Sequence, residues 1–341
     1  MWFAIALLCL PDDSAYDPLR TSGTQVMTAD RTVHDANRDR EIPIRIYAAD
    51  DAHGGSAPVV LFSHGLGGSR YGSSFLGRHW AARGYVAVFL QHPGSDEGIW
   101  KGVPPRRRRA ALAGAASATT AVDRFRDVPA VLDQLTQWNA DAADPLHGRL
   151  DLTNVGMSGH SFGAVTTQAV AGQSDPGGRS PFREDRIGAA IAFSPSPPRR
   201  GDADAAFATV DIPWMLMTGS EDGSPEGIQG SVKQAADRRL VYRNLPDTAA
   251  KYEVVFHRAE HHAFTDHPAR RGQAPRNPAH HPDILALSTA FWDTHLNDDP
   301  AAKAWLHGRS PAAILAADDE WQMHEPQSDR NQEAHGARPD L

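Results

Sequence analysis

The 341-residue sequence predicts an α/β fold, with a mostly parallel central sheet, helices on both faces and a lid-like insertion. Two continuous apolar runs, APVVLFSHG and GYVAVFLQHPG, end in glycine, as buried parallel strands often do. Between them, RYGSSFLGRHWAARG has apolar residues near helical spacing and closes on a glycine suited to a helix C-cap. Strand, helix and strand in this order form the βαβ unit of a parallel sheet.

The remaining elements follow from the same patterns. EIPIRIYAA alternates apolar and polar residues, which predicts a half-buried strand before the βαβ unit. Residues 95–120 are rich in Gly, Pro, Arg and Ala and exceed an ordinary connection, so we predict a lid or binding loop there. The later predicted helices are AVDRFRDVPAVLDQLTQWN, FGAVTTQAVAG and HPDILALSTAFWDTHLN, and the later predicted strands are NVGMSGHS, IGAAIAFSP, IPWMLMTGSEDGSP and KYEVVFHRAEHHAF.

Composition limits the classes of function. Hydrophobic residues make up 40% and charged residues 22% of the chain, as in globular proteins. The formal net charge of -8 disfavours general binding to nucleic acid, because the average electrostatic interaction is repulsive. Arg106 to Arg109 are the exception, and they indicate either a solvated loop or an anion-binding patch. The single cysteine, Cys9, excludes an intrachain disulfide and a Cys-rich metal site.

We predict one domain over residues 21–323, preceded by a candidate signal or flexible segment, 1–20, and followed by a flexible tail, 324–341. MWFAIALLCL is apolar but too short to span a bilayer as a helix, so no stable membrane insertion is expected. A signal segment would imply a secreted or periplasmic protein; an N-terminal strand or frayed end would leave it cytoplasmic. The sequence does not predict an oligomeric state.

Ser161 is the candidate nucleophile, because it occupies the centre of a G-x-S-x-G motif in VGMSGHSFGA. The motif follows a strand-like run and precedes a helical one, which is the context of a nucleophile elbow. Gly159 and Gly163 allow a sharp bend with no Cβ in the way. The following helix N-terminus favours negative charge nearby.

An acid and a histidine follow this serine in the chain, in the order that the elbow architecture uses. Asp222 in GSEDGSP comes after an apolar strand, and we prefer it to Glu221 as the acid. His261 in AEHHAF comes after the last strand-like run, and we prefer it to His262 as the base. A histidine base predicts activity that rises as free imidazole becomes available near neutral pH.

The predicted oxyanion hole combines two backbone N–H groups. LFSHGLGG resembles a His-Gly oxyanion loop and supplies the N–H of Leu66, and the second donor is Phe162, directly after the nucleophile. A phosphate-binding glycine loop is the alternative, but HGLGGSR lacks the third glycine of G-x-G-x-x-G and the Gly-Lys pair of a P-loop.

Five motifs in order, VVLFSHGLGGSR, QHPGSDE, GMSGHSFGA, GSEDGSP and AEHHAF, resemble α/β-hydrolases of the predicted dienelactone hydrolase-like group. This group is related to platelet-activating-factor acetylhydrolases, chlorophyllases and cutinase-like polyester hydrolases. The resemblance runs from about Arg40 to Trp305 and implies an α/β-hydrolase fold and a serine esterase with no metal or organic cofactor. The serine in place of the dienelactone hydrolases' cysteine argues against dienelactone itself as substrate.

The expected activity is cleavage of a small-molecule or polymeric carboxylic ester through an acyl-enzyme. Trp100, Trp214 and His160 are the candidate substrate-binding residues, with core packing as the alternative for Trp214. The alternatives are a polyester or lipid hydrolase, an inactive hydrolase-fold binding protein and a metal hydrolase. A metal site would use His257, His261 and His262 near Asp266 and His267, but the region resembles strand and loop rather than the required helix.

Overall fold

The computed structural model describes residues 16–50, 55–224, 232–266 and 276–326. The strands within these ranges are β1 Val26–Asp35, β2 Arg40–Ala49, β3 Ala57–Ser63, β4 Val86–Leu90, β5 Leu150–His160, β6 Ile187–Phe193, β7 Trp214–Glu221, β8 Lys251–Glu260 and β9 Glu320–His324. They form one sheet in the order β1-β2-β4-β3-β5-β6-β7-β8-β9. Pairing is parallel from β4 through β8 and antiparallel at β1–β2, β2–β4 and β8–β9, which confirms the mostly parallel sheet.

Helices cover both faces of the sheet, as predicted. Their bounds are α1 Ser74–Arg83, α2 Pro105–Ala115, α3 Ala118–Ala140, α4 Phe162–Val170, α5 Ala203–Phe207, α6 Leu240–Asn244, α7 His280–Leu296, α8 Pro300–His307 and α9 Ser310–Ile314. Leu61 of β3 packs in an apolar cluster with α3 and α4, and the next residue, Phe62, packs on the other face with α1 and α7. This alternation along a strand buries both faces of the sheet.

Two features of the fold were not predicted. β1 and β9 close the two edges, and β1 exposes most of its side chains, so its sequence lacks a clear apolar pattern. Arg106 to Arg109 lie on α2 and not in a loop, because Pro105 suits a first helical position and alanines continue the helix. Residues 1–15 and 327–341, where the candidate signal segment and most of the flexible tail were predicted, lie outside the described residues.

The order in which the chain adds strands to the sheet reverses at β3, because β4 lies on one side of β3 and β5 on the other. The chain segments that leave the carboxyl ends of β3 and β5 therefore meet at one edge, where open α/β sheets bind their ligands. These segments are His64–Gly68 and the turn at Ser161. No helix in the described part of the chain is long and apolar enough to cross a membrane.

Candidate functional site

Ser161 lies in a strained turn between β5 and α4. Its φ of 58° and ψ of -112° are unusual for a residue that is not glycine. The flanking glycines make the turn sterically feasible: a Cβ on Gly163 would lie 1.8 Å from the Ser63 carbonyl oxygen, and one on Gly159 would lie 2.4 Å from the Gly163 oxygen. The turn leaves Ser161 partly exposed at the carboxyl edge of the sheet.

His261 and Asp222 meet Ser161 in the arrangement that their order in the chain suggested. His261 Nε2 lies 2.8 Å from Ser161 Oγ, and His261 Nδ1 lies 2.7 Å from Asp222 Oδ1. Because an ionised carboxylate only accepts, Nδ1 carries the proton and Nε2 is free to accept the serine hydroxyl. Asp222 is fully buried, whereas the alternative acid, Glu221, is 49% exposed and lies 3.8 Å from Arg258. The alternative histidine, His262, lies 3.6 Å from Glu260.

A buried arginine, Arg238, contacts one carboxylate oxygen of Asp222, and Thr218 contacts the other. Arg238 Nε lies 2.9 Å from Asp222 Oδ1 and donates to the Asp222 carbonyl oxygen at 2.6 Å, while Thr218 donates to Oδ2 at 3.0 Å. Arg238 Nη2 also lies 3.0 Å from His261 Nδ1. Burial alone would raise the pKa of Asp222, but Arg238 and His261 hold it well below its usual range. Sequence patterns do not indicate Arg238 as a site residue, because it follows a segment without regular periodicity.

Most carbonyl groups of the predicted oxyanion loop, His64–Gly68, accept hydrogen bonds. The His64 ring donates through Nδ1 to the Gly65 oxygen at 2.6 Å, and Trp100 Nε1 donates to the Gly67 oxygen at 2.7 Å. The Leu66 N–H has no acceptor among the described residues. Phe162 is the first residue of α4, so its N–H has no acceptor within the helix. Two backbone donors are therefore free beside Ser161.

Arg124 of α3 stabilises the start of the oxyanion loop through hydrogen bonds. This fully buried side chain donates to the His64 carbonyl oxygen, to Ser63 Oγ at 2.9 Å, to Ser95 Oγ at 2.8 Å and to Thr166 Oγ1 at 3.0 Å. Burial lowers the pKa of Arg124 to about 9, which still leaves it charged at neutral pH. Removing such a group would leave several buried acceptors unsatisfied, each at a cost of roughly 1–3 kcal/mol.

A second Ser-His-Asp chain lies beneath the loop, but it is closed to substrate. His92 Nε2 lies 2.9 Å from Ser63 Oγ, and His92 Nδ1 lies 2.9 Å from Asp127 Oδ2. Burial and Arg124 lower the pKa of His92 to about 4, so it is neutral and its single N–H points to Asp127. All three side chains are fully buried. We interpret them as part of the loop's support, which sequence patterns could not distinguish from ordinary core positions.

A cavity of about 1010 Å³ opens in front of Ser161. Of the three predicted substrate-binding residues, Trp100 and His160 line it. His160 also donates through Nε2 to the His261 carbonyl oxygen at 2.9 Å. The prediction for Trp214 is wrong: it begins β7, is fully buried and packs edge-on against Phe207 at a ring distance of 6.0 Å. The first residue of a central strand lies at the opposite end from the carboxyl edge, so Trp214 contributes to the core.

The described ranges contain no cluster of side chains that fits the alternative of a metal hydrolase. No three His, Cys, Asp or Glu side chains there are arranged to hold an ion. His267, one of the five residues proposed for it, lies outside those ranges.

One family model matches the chain. Its description is platelet-activating factor acetylhydrolase, isoform II, and it covers residues 24–98, which include the oxyanion loop and end before Ser161. A search of curated proteins finds no match. The family supports an esterase-type serine hydrolase as the class of activity. The matched segment supports the platelet-activating-factor acetylhydrolase-related α/β-hydrolase family, and the mostly parallel sheet with helices on both faces is consistent with the fold of that family.

Proposed function

We propose that the protein hydrolyses carboxylic esters through an acyl-enzyme formed on Ser161, with His261 as base and Asp222 as acid. The observation that carries this proposal is the pair of contacts on the His261 ring, 2.8 Å to Ser161 Oγ and 2.7 Å to Asp222 Oδ1. Nucleophile, base and orienting acid within hydrogen-bond reach are the signature of nucleophilic catalysis.

In the acylation half, His261 Nε2 takes the hydroxyl proton as Ser161 Oγ attacks the ester carbonyl. The carbonyl oxygen becomes an oxyanion, which accepts from the N–H groups of Leu66 and Phe162. Losing one such donor typically raises the barrier by roughly 3–4 kcal/mol. His261 then gives its proton to the leaving alcohol oxygen as the ester bond breaks.

In the deacylation half, water enters the cavity and His261 takes one of its protons. The resulting attack on the acyl carbon reforms the oxyanion, and collapse of this intermediate returns the proton to Ser161 and releases the acid. Asp222 keeps its negative charge throughout and stabilises the imidazolium each time that it forms.

The shape of the cavity favours soluble esters over polymers. Helix α2 stands beside the oxyanion loop, with Trp100 bonded to Gly67 and Leu112 so close that a Cβ on Gly67 would lie 2.7 Å from its Cδ2. A walled cavity of about 1010 Å³ suits a ligand that enters whole, whereas a polymer chain needs an open groove.

Covalent labelling tests the nucleophile directly. A fluorophosphonate should add one equivalent to the wild-type protein, because Ser161 Oγ displaces fluoride at phosphorus. Mass spectrometry should place the added mass on the peptide that contains Ser161, and the Ser161→Ala variant should remain unlabelled. Labelling of another residue, or none in the wild type, would contradict the proposal.

Arg238 should set the pH at which activity appears. The groups that face the His261 ring are Ser161, Asp222, Arg238 and His160, and only Arg238 adds a positive charge next to Asp222. Because Arg238 holds the pKa of Asp222 well below its usual range, its removal raises the pKa of this carboxyl. In Arg238→Gln we therefore expect the acid limb of kcat/KM to lie at higher pH than in the wild type, since the ionised acid is needed to hold the imidazolium.

The matched control is Arg239→Gln, because Arg239 pairs with Glu253 and Glu320 and does not contact the site. Its pH profile should coincide with that of the wild type. An unshifted profile in Arg238→Gln would show that Arg238 acts only as structural support. Acid unfolding would shift the profile in the same direction, so circular dichroism must show that the variant stays folded over the pH range of the measurement.

A further inference from the structure

The first turns of α2 present arginines to the catalytic cavity. Four consecutive arginines, Arg106 to Arg109, are exposed on this helix, but only Arg108 and Arg109 line the cavity. The Arg108 guanidinium lies 5.7 Å above the Trp100 ring, and its Nε donates to the Val103 oxygen at 2.8 Å. Its terminal N–H groups remain available to a ligand.

Arg106 to Arg109 have no acidic partner in the part of the chain that the structure describes. No carboxylate of the described residues lies within 4.0 Å of Arg106, Arg107, Arg108 or Arg109, although acidic residues outnumber basic ones, 42 to 34. Several other arginines of the described residues pair with carboxylates, as Arg83 does with Asp293 at 2.8 Å. Arg108 and Arg109 thus put uncompensated positive charge on one wall of the cavity.

The cavity also has acidic lining residues. They are Glu221 and Glu260, the last residues of β7 and β8. An anionic group would be repelled by these glutamates and attracted to the arginines, so the two sets of charges together favour one orientation for a charged substrate. Ser161 lines the same cavity.

We propose that the preferred substrate is an ester that carries a carboxylate or phosphate group, bound by Arg108 and Arg109. A planar guanidinium presents paired donors that match either anion. The inference rests on the proposed function, since the anion matters here only if Ser161 attacks an ester. It adds the charge of the substrate, which the Ser161 geometry alone does not supply.

The test compares charged and neutral esters of similar size. On the acyl side the pair is 4-nitrophenyl hydrogen adipate and 4-nitrophenyl heptanoate. On the alcohol side, 3-carboxyphenyl acetate and 3-acetoxyphenyl phosphate are compared with phenyl acetate, which separates carboxylate from phosphate. We expect kcat/KM to favour an anionic member of at least one set by about tenfold in the wild type. The Arg108→Ala/Arg109→Ala variant should lose this preference, so that the ratio of its kcat/KM on anionic esters to that on neutral esters falls about tenfold below the wild-type ratio.

The matched control is Arg106→Ala/Arg107→Ala, which changes the net charge equally on the same helix but outside the cavity. It should keep the wild-type preference. Equal loss in both double variants would mean that only long-range charge acts, and no preference in any set would also overturn the inference. If the wild type hydrolysed none of these esters, the failure would lie with the proposed function instead.

Discussion

The Ser161→Ala variant is expected to lose ester hydrolysis by roughly four to six orders of magnitude in kcat. Without Oγ there is no acyl-enzyme, and the remaining rate comes from substrate binding and the two oxyanion donors alone. The measurement is hydrolysis of p-nitrophenyl esters from acetate to long acyl chains by both proteins. The chain length with the highest kcat/KM in the wild type would also give the size of the acyl pocket.

Ser158→Ala is the matched control for this variant. Ser158 lies on the same strand, β5, and its buried hydroxyl donates to the Leu61 oxygen at 2.8 Å, away from the reacting atoms. We expect it to lose about 1 kcal/mol in the free energy of unfolding and to keep its activity. If Ser161→Ala retained activity within tenfold of the wild type, the serine mechanism would have to be abandoned.

The Asp222→Asn variant should lower kcat by about 10⁴-fold. The asparagine amide would donate to His261 Nδ1, which forces the proton onto Nε2 and leaves no acceptor for the Ser161 hydroxyl. Glu221→Gln is the natural comparison, since this adjacent carboxylate is half exposed and contacts neither Ser161 nor the His261 ring. We expect it to keep wild-type activity on neutral esters.

The Asp222→Asn substitution should also lower the free energy of unfolding, because it leaves Arg238 without its partner. In Asp222→Asn, Arg238 stays buried without its carboxylate, and breaking such a pair typically costs roughly 3–5 kcal/mol. The double variant Asp222→Asn/Arg238→Gln removes both charges and should recover part of this loss in a urea unfolding curve. Its kcat should stay low, because the missing acid is not restored. Recovery of activity together with stability would instead identify Asp222 as a structural residue.

Much of the fold could be predicted from local patterns. The apolar runs that became β3, β4, β6 and β7 are buried on both faces of the sheet, so nearly every side chain in them is hydrophobic. The edge strands were harder, because β1 exposes one face and β9 has only five residues. Local sequence also could not place Trp214. An aromatic residue in an apolar run has the same sequence pattern whether it lies in the core or in a cavity wall.

By itself the sequence determined the α/β fold class, the G-x-S-x-G turn at Ser161 and the order in which Asp222 and His261 follow it. Only the tertiary structure decided that their side chains meet, that Arg238 lies against Asp222 and that Arg124 supports the oxyanion loop. The reason is the range of the interactions. Strand, turn and helix preferences act between near neighbours, whereas the contact between His261 and Ser161 joins residues 100 positions apart. Such contacts follow from how the whole sheet is ordered and packed.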